Sequence, residues 1–299
     1  MQIKDIGEFG LIERFARKIK NSRSVIVGSG DDCAVLTFNR QYYQLFTCDM
    51  LIEGVDFLSS ANPYLVGRKA IAVSLSDIAA CAGKPMHAVI SLGVPKKSTL
   101  KYCDRLFKGM NDIAKQYGVN IVGGDISHSE KTVIDVSMLG LVEKKYLVLR
   151  SGAKKGDIIF VSGCLGGSIL DKHLKFTPRL KEARFLVENF KIHSMIDISD
   201  GLLADLGHIL KASGTGGLIF APRVPISKVA SGLNDALASG EDFELLFTVS
   251  PVEANRFFSD KRAKNFQAIG EIIEKKQGLK LINQSGKEIK ISGKGYQHF

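Results

Sequence analysis

The 299-residue chain contains no tryptophan and only seven prolines, and its cysteines are five, an odd number: Cys33, Cys48, Cys81, Cys103 and Cys164. No two of them form a C-x-x-C pair and no Cys/His spacing resembles a zinc site. A disulfide framework and a structural zinc domain are therefore disfavoured, and reduced thiols in a cytoplasmic protein are the expectation. No apolar run reaches the ~18 residues a membrane span needs. Met1–Gly10 lacks the basic start and apolar stretch of a signal peptide. Lysines and arginines outnumber acids by 41 to 31, a net charge of +10. Yet the lysines are scattered in pairs such as Lys96-Lys97 and Lys275-Lys276, without a long basic run or a nucleic-acid recognition motif. The G-x-x-x-x-G-K-[ST] loop, the protein-kinase motif set and any Ser/His/Asp nucleophile arrangement are also missing. The six histidines are isolated from one another and read as structural or surface residues.

What remains is ordinary globular composition, 45% hydrophobic and 24% charged, in a chain long enough for two domains. Strand-like runs alternate with helical patterns, which predicts an α/β fold. Strands are expected over Ser24–Val27, Tyr43–Thr47, His87–Leu92, Val119–Val122, Thr132–Val142, Ile158–Val161 and Ser194–Ile198. Helices are expected over Pro63–Ala82, Thr99–Tyr117 and Gly201–Ala212, stopped by Gly83, Gly118 and Gly214. Glu241–Thr248 leads a further strand, and the last ~50 residues read as short strands and turns. The polar, glycine-bearing segment Arg150–Asp157 suggests a boundary near residue 145, dividing the chain into 1–145 and 146–299.

The distinctive feature is the placement of acids. Asp31-Asp32, Asp49, Asp125, Asp197 and Asp200 each follow a short apolar run, where α/β folds carry ligand sites. Asp77 lies within the apolar helix itself, a costly position for a carboxylate without a cation. One such aspartate is ordinarily a cap or turn residue. Six that converge would require cations, and acid-rich sites without His or Cys partners select Mg²⁺. Carboxylates around Mg²⁺ beside glycine-rich backbone point to phosphoryl chemistry. Ser199-Asp200 also precedes a helix, whose N–H groups favour an anion.

Gly30-Asp-Asp-Cys-Ala34, Asp49-Met-Leu-Ile-Glu-Gly-Val55, Leu75-Ser-Asp-Ile-Ala-Ala80, Gly123-Gly-Asp125, Asp197-Ile-Ser-Asp-Gly201, Gly240-Glu-Asp-Phe-Glu-Leu245 and the terminal Gly-Tyr-Gln-His-Phe occur in this order. Together they resemble the thiamine-monophosphate kinase family of the aminoimidazole-ribonucleotide-synthetase-like superfamily, over essentially the whole chain. Gly7-Glu-Phe-Gly10 and the final His-Phe favour this family over its relatives. The resemblance implies an N-terminal mixed sheet that forms a barrel shared by a homodimer, and a C-terminal α/β sandwich-like domain. It implies transfer of the γ-phosphoryl group of ATP to the phosphate of thiamine monophosphate, assisted by several Mg²⁺ ions and Arg150 without a dedicated catalytic base. By motif position, Asp32, Thr47, Cys48, Asp49, Asp77, Asp125, Asp197 and Asp200 fall on magnesium positions. Gly124, Asp125, Arg150 and Ser199 fall on ATP positions, and Glu241 on a substrate position.

Three departures from the family pattern bear on the substrate pocket. Asp56 stands where the family usually has His, and Cys48 where it usually has Thr. A tryptophan common near Lys294 is absent, Gly293 taking its place with Tyr296 the nearest aromatic. Asp56, Gly293 and Tyr296 are accordingly candidate substrate contacts. Two alternatives stay open from sequence: another ATP-using member of the superfamily with a different substrate, or a basic, non-catalytic protein binding phosphorylated partners or nucleic acid.

Overall fold

The computed structural model describes residues 2–170, 172–290 and 295–296. The first half contains α1 (Gly7–Ala16), β1 (Val25–Val27), β2 (Ala34–Thr37), β3 (Tyr42–Ile52), α2 (Pro63–Ala80), β4 (Lys84–Val94), α3 (Leu100–Tyr117), β5 (Asn120–His128) and β6 (Val133–Glu143). Its six strands form one sheet in the order β1-β2-β3-β6-β4-β5. Only β4 and β5 pair in parallel.

Two of these strands run further than the sequence suggests. Asp49 lies inside an eleven-residue strand rather than at a strand end, and β5 continues through Gly123-Gly124-Asp125 instead of stopping there. Glycine in that strand reflects close approach, since a Cβ on Gly124 would sit 1.9 Å from the carbonyl oxygen of Ile90 on β4.

Helix α2 starts where Asn62 Oδ1 accepts the Tyr64 N–H, with Pro63 in the first turn. Most of its 18 residues are buried, because it lies between the two halves of the molecule. Ile71, Leu75 and Ile78 join the core under the first sheet, while Ala79 joins a core of the second half. A helix buried on all sides is apolar all round, so the polar residues in its middle, Arg68, Lys69, Ser74, Ser76 and Asp77, stand out.

The second half contains β7 (Ile158–Val161), α4 (Leu180–Asn189), β8 (Ile192–Asp197), α5 (Leu202–Ser213), β9 (Gly216–Phe220), α6 (Leu233–Ala238), β10 (Leu245–Val249), α7 (Pro251–Ser259), β11 (Gln267–Ile273), β12 (Leu279–Ile282) and β13 (Glu288–Ile289). Seven strands form a sheet in the order β13-β12-β9-β11-β7-β10-β8. The sheet is covered on both faces. Phe160, Leu245 and Phe247 pack with Leu186 of α4 and Phe257 of α7. Ile159, Val161 and Leu246 pack with Leu206 of α5 and Leu237 of α6. Neighbours in one strand serve opposite cores, as the two-residue period requires. This is a mixed α/β sandwich, and α7 corrects the expectation of strands and turns alone after residue 250.

Candidate active site

Each acid reaches the site from a different element. Asp32 sits in the turn before β2, Asp77 on α2 and Asp197 at the end of β8; oxygens of these three carboxylates all lie within 4.8 Å of one another. Asp49, from the helix-covered face of β3, accepts a hydrogen bond from Ser74 Oγ at 2.7 Å. Ser76 Oγ donates to Asp197 Oδ2 at 2.6 Å, and Thr47 Oγ1 donates to Asp77 Oδ2. Arg150 forks Asp32 Oδ1 through Nε at 3.3 Å and Nη2 at 2.7 Å. Its main-chain N–H reaches Asp31 Oδ2 at 3.1 Å.

One guanidinium does not balance these charges. Burial, reinforced by the neighbouring acids, pushes Asp77 well above the carboxylate range. Burial and Asp32 lift Asp197 to about 8 and Asp31 to about 7, and burial lifts Asp49 to about 6. Among the described residues, buried Asp32 Oδ2 finds no hydrogen-bond partner. An orphaned carboxylate oxygen among close, all-oxygen donors fits a hard divalent cation such as Mg²⁺.

These acids bind protons more tightly folded than unfolded, so the metal-free protein loses stability as pH rises. From about pH 6.5 upward, folded Asp31 and Asp197 still hold protons that the unfolded chain has lost, and the loss of stability levels off once they give them up near pH 7 and 8. Burial holds the neighbouring His208 near 4, so it is neutral throughout that window. The melting temperature in chelator is expected to fall across this interval; a flat or rising series contradicts the assignment.

Asp49 also lines a cavity of about 540 Å³. Its apolar wall includes Val55, Phe57, Leu58, Val73, Leu174 and Phe243; Asp56, Ser199, Asp200, Glu241 and Tyr296 supply polar groups. The Asp200 carbonyl accepts the Tyr296 N–H at 2.9 Å, which brings the C-terminal segment to the cavity. Asp205, inside α5, accepts the N–H groups of Asp200 and Gly201 at 3.1 Å each, tying the preceding turn to the helix. Asp56 Oδ2 accepts the Ile52 N–H at 2.7 Å, so this carboxylate shapes its own turn while facing the cavity. Burial would raise Glu241, but His173 and Lys69 hold it below the usual range.

Not every sequence candidate converges here. The Cys48 side chain points to the opposite face of β3 from Asp49 and contacts Asp135 Oδ2 at 3.3 Å; strand alternation alone dictates this. Asp125 shares that outer face, in register with Ser91, and accepts from Ser127 Oγ at 3.3 Å. Gly124 lies beside it on the edge strand. Gly293 lies outside the described residues. The sequence offers no site role for Lys69, Ser74 or Ser76, reads His173 as structural or surface, and leaves Asp31 open between a ligand and a turn neighbour of Asp32. The available signal for Lys69 was the one that exposed Asp77: a charge inside an apolar helix.

This fold and acidic centre define a class. Residues 30–142 match the N-terminal domain of AIR synthase related proteins and residues 134–281 match the C-terminal domain. Similarity then extends over whole chains. Thiamine-monophosphate kinase of Buchnera aphidicola subsp. Schizaphis graminum is 34% identical over 99% of both chains. The kinase of Bacillus subtilis is 33% identical over 98% of this chain and 99% of its own. A solved structure of AaThiL complexed with AMPPCP and TMP superposes with a TM-score of 0.86, at 33% identity, covering 100% of this chain and 99% of that one. The chain belongs to the thiamine-monophosphate kinase family.

Proposed function

We infer that the protein transfers the γ-phosphoryl group of ATP directly to the phosphate of thiamine monophosphate, yielding thiamine diphosphate and ADP. The observation that carries this reading is the meeting of Asp32, Asp49, Asp77 and Asp197 beside an apolar-walled cavity. Its volume, about 540 Å³, is in the range of small-molecule sites.

The attacking phosphate oxygen is already anionic, so the reaction needs no strong general base. The difficulty is bringing two anions together. Asp32, Asp49, Asp77 and Asp197 would hold Mg²⁺, with Thr47, Asp125 and Asp200 as further positions; Cys48 would serve through its carbonyl rather than its thiol. Held by these residues, Mg²⁺ would supply positive charge against the phosphates and the transferring group. Arg150 fixes Asp32 and adds positive charge beside the acids. Gly124, Asp125, Arg150 and Ser199 are the proposed ATP contacts, and Asp56, Glu241, Gly293 and Tyr296 the thiamine contacts. Within the cavity, the apolar wall would take the thiamine rings, while the positive N-terminal end of α5 favours phosphate.

Residues 1–145 and 146–299 are proposed as the two synthetase-like domains. Phe46, Met50 and Val89 are exposed on the outer face of the first sheet, and among the described residues edge strand β5 pairs only with β4. An open edge beside an apolar face favours a second copy, consistent with a shared-barrel homodimer that would put Asp125 at the interface. The proposed compartment is the cytoplasm; no described helix is long and apolar enough to cross a membrane.

Purified protein with ATP, Mg²⁺ and thiamine monophosphate is expected to form thiamine diphosphate, and chelator is expected to abolish it. No product with Mg²⁺ present contradicts the reading; undiminished product in chelator contradicts the metal assignment.

A further inference from the structure

Lys69 is completely buried in the middle of α2 and does not line the cavity. Its two polar partners both do. Nζ donates to the Asp56 carbonyl at 2.9 Å and to Glu241 Oε2. Asp56 belongs to the turn after β3, whereas Glu241 lies 172 positions further along the chain from Lys69. One ammonium thus ties together two walls contributed by separate halves of the molecule.

Glu241 is held at several other points. Its backbone is left-handed, with φ +69, as is that of Phe243 at φ +50. Its N–H donates to the Ser199 carbonyl at 2.7 Å, Ser168 Oγ donates to its carbonyl, and His173 Nδ1 lies 3.4 Å from Oε2. Non-glycine residues keep such a backbone only where surrounding contacts impose it. With the carboxylate fixed by a shielded cation, a small displacement of Lys69 carries directly to the cavity wall.

We propose that Lys69 is a positioning residue for substrate selection: it sets the Glu241 carboxylate and the Asp56 turn at the spacing that receives the thiamine part of the acceptor. This rests on the kinase reading above and deepens it. Lys69 lies outside the gathered acids, so its loss acts on acceptor binding and spares ATP binding.

The test compares wild type, Lys69→Met, Glu241→Gln and the double variant, with KM measured separately for thiamine monophosphate and ATP. Lys69→Met is expected to raise KM for thiamine monophosphate at least about tenfold, with KM for ATP unchanged within about twofold. Because both changes remove one coupled pair, the double variant is expected to match Glu241→Gln rather than multiply the two effects. This comparison still decides if Lys69→Met alone does not fold, since the double variant leaves no buried, unpaired carboxylate. An unchanged acceptor KM, an equal rise for both substrates, multiplicative effects, or a double variant that does not fold each overturns the proposal. An active wild type with any of these outcomes leaves the kinase reading intact; a wild type that makes no thiamine diphosphate removes that reading instead.

Discussion

Asp77→Asn is expected to raise the melting temperature of the metal-free protein and at the same time lower phosphoryl transfer by about 10²–10³-fold. Asp77 is held well above the carboxylate range by burial and by Asp49, Asp197 and Asp32. Asparagine keeps the side-chain shape and an oxygen to accept from Thr47 Oγ1, but removes one ionisable group from the cluster. The gain scales as about 2–4 °C per kcal/mol of repulsion relieved. The same substitution deletes a donor for Mg²⁺, so function falls as stability rises. Thermal melts in chelator and turnover with Mg²⁺ give the two readouts. A lower melting temperature with activity retained contradicts the assignment of Asp77 as a functional, destabilising acid.

Arg150→Met should move both quantities down. The ion pair is mostly shielded, with side-chain exposures of 20% for Arg150 and 1% for Asp32. Removing one partner of such a pair strands the other, at a cost of about 3–5 kcal/mol. Among the described residues Asp32 Oδ2 already lacks a hydrogen-bond partner, so losing Arg150 removes the side-chain donor that the other oxygen has. Activity falls as well, because Asp32 loses its fixed orientation. Arg150→Lys should recover only part of the loss, since an ammonium lacks the fork that engages Asp32 through Nε and Nη2. Urea denaturation midpoints and turnover measure these effects. An unchanged midpoint for Arg150→Met would show that the pair does not hold the site together.

The legible parts of the fold were those with local signals. Helix α3 runs from its Thr99 cap to left-handed Gly118, and α5 ends at left-handed Gly214, as periodicity and glycine stops suggest. Asp77 announced itself as a charge in an apolar helix. Less was legible where tertiary contacts override local pattern. Asp49 resembles a strand end by sequence, yet β3 continues because β6 pairs with it from Tyr42 to Ile52. Gly123-Gly124 resembles a stop, yet β5 passes through because β4 lies against it. Helix α7 did carry a local signal, Ser250-Pro-Val-Glu253, in which Ser250 Oγ accepts the Glu253 N–H at 3.3 Å; it went unread among short strands.

The acids themselves were legible, but their grouping was only in part. Asp32, Asp77 and Asp197 come together through packing of α2 between the two sheets, a long-range fact without a local signature. Cys48 and Asp49 are adjacent in sequence and opposite in space. Asp125 stands on the outer face of an edge strand, where a single chain does not bring it to the cluster. Lys69 and Glu241 meet across most of the chain.

The most direct measurement uses ATP labelled with ³²P at the γ position, thiamine monophosphate and Mg²⁺, followed by separation of the products. Direct transfer predicts label in the terminal phosphate of thiamine diphosphate, with one ADP formed per product. Label released only as inorganic phosphate, with no labelled thiamine diphosphate, would contradict the account.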